Sequence, residues 1–200
     1  RDEFVVRDYI NNEDKIIRNN NTNLQKFSGY SQLDFINKIN IKLSNKSNLI
    51  HGIYLSKSSN IPRYDRLILY EDIFNPKYGE WYYGPNYFLM NKIELNNFRK
   101  TNYYDAFKLN ISNQIVKESR HSRLFNNDFL KNRKEKVDII SINLDFDKKF
   151  KKDEIFYGYE FIFNNVNSEA NSLNIISNES SEISSRYPDN GTQYFSNSLY

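Results

Sequence analysis

The sequence predicts a β-rich α+β fold: an antiparallel sheet, closed as a sandwich or a barrel, with one main helix near residues 113–133 and an extended C-terminal arm. Three observations carry this prediction. Apolar side chains recur at every second position over residues 137–147 and 154–164, the period of a strand, and the second stretch is apolar on both faces, which places it centrally in a sheet. Residues 113–133 place Ile115, Val116, Leu124, Phe125, Phe129 and Leu130 at spacings that fit one broad helical face. From residue 165 onward the chain becomes rich in Asn and Ser and poor in apolar anchors.

Taken in chain order, residues 3–18 suggest a short helix. Residues 33–43 read as a strand, with Leu33, Phe35, Ile39, Ile41 and Leu43 on one face, and residues 49–56 as another. A further strand is expected at 64–74 around Leu67 to Tyr70, and weaker ones at 80–90 and 103–112. Pro62, Pro76 and Pro85 fall between these runs, where a strand has to break. In the late hairpin Ile140, Ile142, Leu144 and Phe146 share one face, as do Ile155, Tyr157, Tyr159, Phe161 and Phe163. The polar run from Asp147 to Asp153 connects the two strands. Two units follow: a globular domain at 1–164, long enough to bury a sizeable core, and an arm at 165–200. Residues 1–152 carry a formal charge of +9 and residues 153–200 carry −6, so the arm's charge complements the body of a neighbouring subunit.

Composition narrows the chemistry. There is no cysteine, which excludes disulfides, thiolate zinc sites and cysteine nucleophiles. Asn, Ile, Lys, Tyr and Phe make up 102 of 200 residues, the imprint of an AT-rich genome, so an isolated Asn or Lys cluster carries little weight. No apolar run approaches the ~18 residues of a helical membrane span, and no membrane span is expected. Arg1-Asp2-Glu3 opens the sequence without an apolar signal segment. No P-loop, dinucleotide turn, nucleophile elbow or metal-binding helix motif occurs, and no catalytic residue, metal or cofactor is assigned.

Two stretches stand out as candidate sites. Tyr78, Trp81, Tyr82, Tyr83 and Tyr87 lie in an aromatic segment punctuated by Gly79, Gly84 and Pro85. They read as a recognition loop or as an aromatic strand pair. Arg133, Lys134, Lys148, Lys149, Lys151 and Lys152 belong to a stretch with net charge +5 over residues 117–152. They form a basic patch suited to a phosphate backbone if the helix and the hairpin pack together. Asp145 and Asp147 alternate on one strand beside lysines, the pattern of a charge-balanced strand end.

His51-Gly52, Tyr82 or Tyr83, and Glu160 resemble the scattered signature of the histidine-tyrosine-glutamate ADP-ribosyltransferases. That resemblance implies NAD binding by the His and Gly and stacking of nicotinamide on the Tyr. His51 and His121 near carboxylates also suit metal-free RNA cleavage. The absence of motifs and the unusual arm point first elsewhere, to a non-enzymatic structural subunit of a virion, protein lattice or organellar particle. Such a subunit would form a homo- or hetero-oligomer through its C-terminal arm. A basic nucleic-acid-binding protein is the second reading and a small secreted effector enzyme, a ribonuclease or ADP-ribosyltransferase, the third.

Overall fold

Alternation governs nearly the whole chain. In the computed structural model, which describes residues 1–187 and 190–200, twelve strands and one short helix are found. β1 (Glu3–Asp8) and β2 (Glu13–Arg18) form a separate hairpin. β3 (Gln32–Ser44), β4 (Ser47–Ser58), β7 (Tyr87–Asn97), β8 (Ala106–Leu124), β9 (Phe129–Lys149), β10 (Glu154–Asn174) and β12 (Gly191–Leu199) build one antiparallel sheet. Within it every strand pairs with the next of these strands in sequence, an uninterrupted up-and-down meander. β5 (Ile61–Pro62), α1 (Tyr64–Leu67), β6 (Tyr78–Tyr83) and β11 (Ser180–Glu182) attach at one end.

The two ends of the sheet differ. At one, here the turn end, strands join through residues 45–46, 98–105 and 150–153. At the other, the cap end, β8, β9 and β10 run well past their neighbours, and the β1–β2 hairpin, β5, α1 and β6 gather around them. β3, β7, β9 and β12 run from cap to turn; β4, β8 and β10 return.

The hairpin expected at 137–164 forms, with Ile142 opposite Phe161 and Ile140 opposite Phe163. The main helix does not form. Residues 113–124 continue β8, residues 125–128 turn through Asn126 at φ 51°, and β9 begins at Phe129. The apolar spacing that mimicked a helical face combines residues of two strands on either side of that turn. The N-terminal helix is likewise a hairpin, turned at Asn12 with φ 56°. The strand expected at 64–74 is replaced by α1 and a turn closed by a Tyr70–Pro76 bridge. The expected boundary at Asn164 falls inside β10. The segment read as an arm completes that strand, then returns as β12 along it, pairing Leu199 with Tyr159 and Phe195 with Phe163.

Among the described residues the expected core is not found: away from the cap, no described element packs against either face of the sheet. Val5 and Leu130 are the buried hydrophobic residues among those described. The accessible surface is 13483 Å² for 24.0 kDa. A compact water-soluble chain of this mass exposes roughly 9,900 Å².

Candidate functional site

Register decides which side chains share a face. Opposite residues point the same way, so the ladders can be read as rows crossing the sheet from β3 to β12. One row is Ile41, Leu49, Leu95, Leu109, Leu144, Tyr159 and Leu199. The next, toward the cap, is Ile39, His51, Ile93, Ile111, Ile142, Phe161 and Asn197. The third is Asn37, Ile53, Asn91, Asn113, Ile140, Phe163 and Phe195. These rows contain no charged side chain, and nothing covers them. Ile39 is 50% exposed, Ile93 47%, Ile140 45% and Phe195 66%.

The opposite face is polar. At the same height most of its residues are polar, among them Lys38, Asn40, Lys92, Glu94, Asn110 and Glu160, with Ile50 and Ile162 interspersed. Many of these are cross-linked. Glu94 accepts from Lys92 at 2.9 Å and from Asn96 at 2.9 Å, with Lys108 at 3.5 Å. Ser112 and Ser141 lie 2.7 Å apart across the β8–β9 ladder.

Each border of the apolar band has its own chemistry. Toward the turn end lies an aromatic cluster. Tyr104, Phe107, Phe146 and Tyr157 follow one another with ring centroids 4.9–6.1 Å apart. Phe98, Tyr103, Phe150 and Phe156 stand exposed beside it. Toward the cap end a row of Lys57, Tyr87, Lys117 and Lys136 closes the band, with the Lys117 ammonium 5.7 Å above the Tyr87 ring. From the Phe107 row to the Lys117 row is about 33 Å along the strand at ~3.3 Å per residue. With six strand spacings of ~4.8 Å, the strip between the borders covers on the order of 1,000 Å²; nearer the cap it includes Asp138, Asn165 and Gln193.

Neither a protein-family model, nor a curated protein, nor a solved structure matches this chain. No helix among the described residues is long and apolar enough to cross a membrane. That criterion concerns helices and does not bear on strands.

The candidate residues from the sequence separate on this frame. Tyr78, Trp81, Tyr82 and Tyr83 lie on β6 at the cap, and Tyr87 lies on β7 in the border row. The segment is a pair of strands. Trp81 meets Tyr83 edge-on at 4.9 Å, Arg63 lies 5.3 and 5.0 Å from these two ring centroids, and Tyr82 stacks on His121 at 4.5 Å. A cleft of about 380 Å³ runs between this strand and β1, lined by Val5, Tyr9, Phe27 and Trp81. The basic residues form two groups. Arg133 and Lys134 sit on the cap extension of β9, while Lys148, Lys149, Lys151 and Lys152 lie at the turn end, some 46 Å away at ~3.3 Å per residue. The single patch required a helix at 113–133 packed on the hairpin, and that segment is strand instead. His51 and Glu160 lie on opposite faces, and β4 and β10 are four strand spacings apart, about 19 Å. Tyr82 is in the cap, so the transferase-like set is not assembled. No group of three or more His, Asp or Glu gathers as a metal site among the described residues.

Sequence reading missed the polar centre of the cap. Arg123, with a fully buried side chain, donates to Asp14 through both terminal nitrogens at 2.8 and 2.9 Å. It also donates to Glu80 at 2.9 Å and to the Asn127 carbonyl at 2.9 Å. Arg7 joins Asp14 at 3.6 Å and also pairs with Asp128. These contacts fasten the β1–β2 hairpin to the β8–β9 extension. Beside them, burial holds the His121 imidazole below its usual pKa and raises the Tyr82 phenol. His121 Nδ1 lies 2.6 Å from the Asn132 side-chain oxygen. A buried Arg leaves no periodic signal, because its partners are 43 and 109 residues away.

Proposed function

We propose that this chain builds seven strands of the wall of a membrane-spanning β-barrel. Its apolar face meets lipid, its polar face lines an aqueous interior, and its cap stands outside the bilayer at one mouth. The observation that carries the reading is a band that runs in phase through all seven strands, uncharged over its three central rows, with Asp138 nearer the cap paired to Lys136. Lipid removes the cost of exposing such a surface, and alternation between a lipid face and a lumen face is the pattern of barrel strands. Dimensions agree. The ~33 Å between border rows, tilted by the usual 35–45°, becomes a height of about 25 Å, the thickness of the apolar belt on such barrels. The aromatic border and the Lys and Tyr border have the same explanation.

The barrel alternative of the expected fold class is thereby kept as a proposal. So is a non-enzymatic structural role, with lipid taking the place of protein neighbours as the covering partner. Helical spans need ~20 apolar residues, whereas tilted strands cross in about 9–11 that alternate, so hydropathy along the chain stays low. The polar interior makes the class of function a passage or a docking site for hydrophilic solutes.

The test is folding on demand. The full protein, unfolded in urea and diluted into phosphatidylcholine vesicles, should gain β-structure and protease resistance in the β8–β10 segments, and should aggregate when diluted into buffer alone. A chain that is monomeric, folded and monodisperse in buffer without lipid or detergent contradicts the proposal.

A further inference from the structure

We infer that the two free edges of the sheet, β3 and β12, are closed by an odd number of strands from outside residues 1–200, and that they do not meet each other or a second copy of this chain. The inference rests on the barrel reading and deepens it.

Every one of the 13 residues of β3 is exposed, and no described strand pairs with its outer side. β12 pairs only with β10. In a lipid phase neither row of free N–H and C=O groups can be left open, since each unpaired group costs several kcal/mol and only closure removes an edge. Direction then restricts what can fill the gap. All six seams between neighbouring wall strands are antiparallel. With seven strands, β3 and β12 both run from cap to turn. Joining them directly would create a parallel seam, whose slanted ladder is the weaker one.

A second copy does not solve this. Two copies with their caps on the same side would bring β3 of one against β12 of the other, again parallel. Antiparallel contact between copies would need caps on opposite sides of the membrane. One inserted strand, or any odd number, restores antiparallel pairing on both edges.

The strand that β3 accepts is therefore specified. It runs from the turn end to the cap end and spans about nine to eleven residues in the bilayer. It alternates in phase with β3, with apolar residues opposite Leu33, Phe35, Ile39 and Ile41 and polar residues opposite Asp34, Lys38, Asn40 and Lys42.

The chain's lack of cysteine makes the test clean. In the full protein folded in phosphatidylcholine vesicles, Asn37→Cys is combined in turn with Gln193→Cys, Phe195→Cys, Asn197→Cys and Leu199→Cys, and oxidised. Strands in direct contact lie ~4.8 Å apart and can form a disulfide, whereas one intervening strand sets them about 10 Å apart, beyond the ~7 Å limit. The expected result is no disulfide in any pair, within a chain or between chains. The adjacent-strand control Asn91→Cys with Asn113→Cys should close. In unaltered protein, the β3 amides that do not bond β4 should exchange with deuterium as slowly as those of β8. A β3–β12 disulfide in the monomer overturns the inference in favour of a parallel seam, and one in a covalent dimer overturns it in favour of a second copy. Fast exchange along β3 overturns it in favour of an open edge. Each of these can occur while the chain still folds only in lipid, so failure of this inference is distinct from failure of the barrel reading.

Discussion

Replacing Ile111 with Arg places a charge near the middle of the apolar band. Ile111 lies four residues from Phe107 and six from Lys117, about 13 and 20 Å along the strand at ~3.3 Å per residue. Tilt reduces these to roughly 10 and 15 Å of depth, deeper than a guanidinium can easily snorkel out. No acid lies on that face in the three central rows, and Asp138, nearer the cap, is already paired with Lys136 at 2.8 Å. The cost at such a depth in a membrane barrel is about 2–4 kcal/mol. At ~1.4 kcal/mol per tenfold, this is roughly a 30- to 700-fold loss in the folding equilibrium. The control is Asn110→Arg, one residue away on the polar face and opposite Glu94, where the same charge finds water and a carboxylate. Its effect should stay within about 0.5 kcal/mol. Urea unfolding in vesicles, followed by the fluorescence of Trp81, reads both. Equal stability of the two variants would refute the assignment of the apolar face to lipid, since a solvated Ile111→Arg costs almost nothing.

Arg123→Ala should destabilise the cap by about 3–5 kcal/mol, because buried Asp14 loses its bidentate partner and keeps only the longer Arg7 pair and the Asn126 N–H, while Glu80 loses its partner too; rapid proteolysis between β2 and β3 with the wall still intact is the expected pattern. His121 is held neutral by burial, so the unfolded chain binds a proton that the folded one resists, and cap stability should fall as pH drops below about 6.5. His121→Gln should flatten that dependence in a pH series of proteolysis rates. Gly158→Val should cost about 1–3 kcal/mol, since a Cβ there would lie 2.6 Å from the Leu144 carbonyl and 2.6 Å from the Tyr200 ring; Tyr200 would be displaced from Asp145, and weakened protection of β12 in hydrogen exchange is the check.

Much of the sheet was legible and its surroundings were not. The alternation of Leu33 to Leu43, of Leu49 to Leu55 and of the 137–164 hairpin marks strands directly, and those strands form. The helix was misread because a window across Phe125-Asn126-Asn127-Asp128 adds the end of β8 to the start of β9. Beyond Lys117, moreover, β8 buries Ser119, His121 and Arg123 instead of aliphatic side chains, so its alternation carries no hydrophobic signal. The low-complexity appearance of residues 165–200 comes from strands whose Asn and Ser lie mostly on the polar face or in the cap, with Gln193, Phe195, Asn197 and Leu199 on the other face of β12. On the proposed reading, the deeper difference is the solvent. A core was expected because water was assumed, and a strand with one polar face was assumed to bury the other against protein. Only the register, which sets the apolar residues of seven strands in phase, reveals a face with no protein to cover it. The basic residues showed their charge in the sequence but not their separation along β9, since that depends on strand rise.

The most direct measurement of the central claim is a spin-label scan of β8 from Phe107 to Lys117 in the vesicle-folded protein, one engineered cysteine at a time. Collision rates with oxygen, which concentrates in lipid, and with a water-soluble nickel chelate report what each position faces. The account predicts opposite oscillations of period two. Oxygen should dominate at Leu109, Ile111, Asn113 and Ile115, most strongly at Ile111 and Asn113, and nickel at Lys108, Asn110, Ser112 and Gln114. Nickel access to both sets, or oxygen maxima at the even-numbered positions, would contradict it.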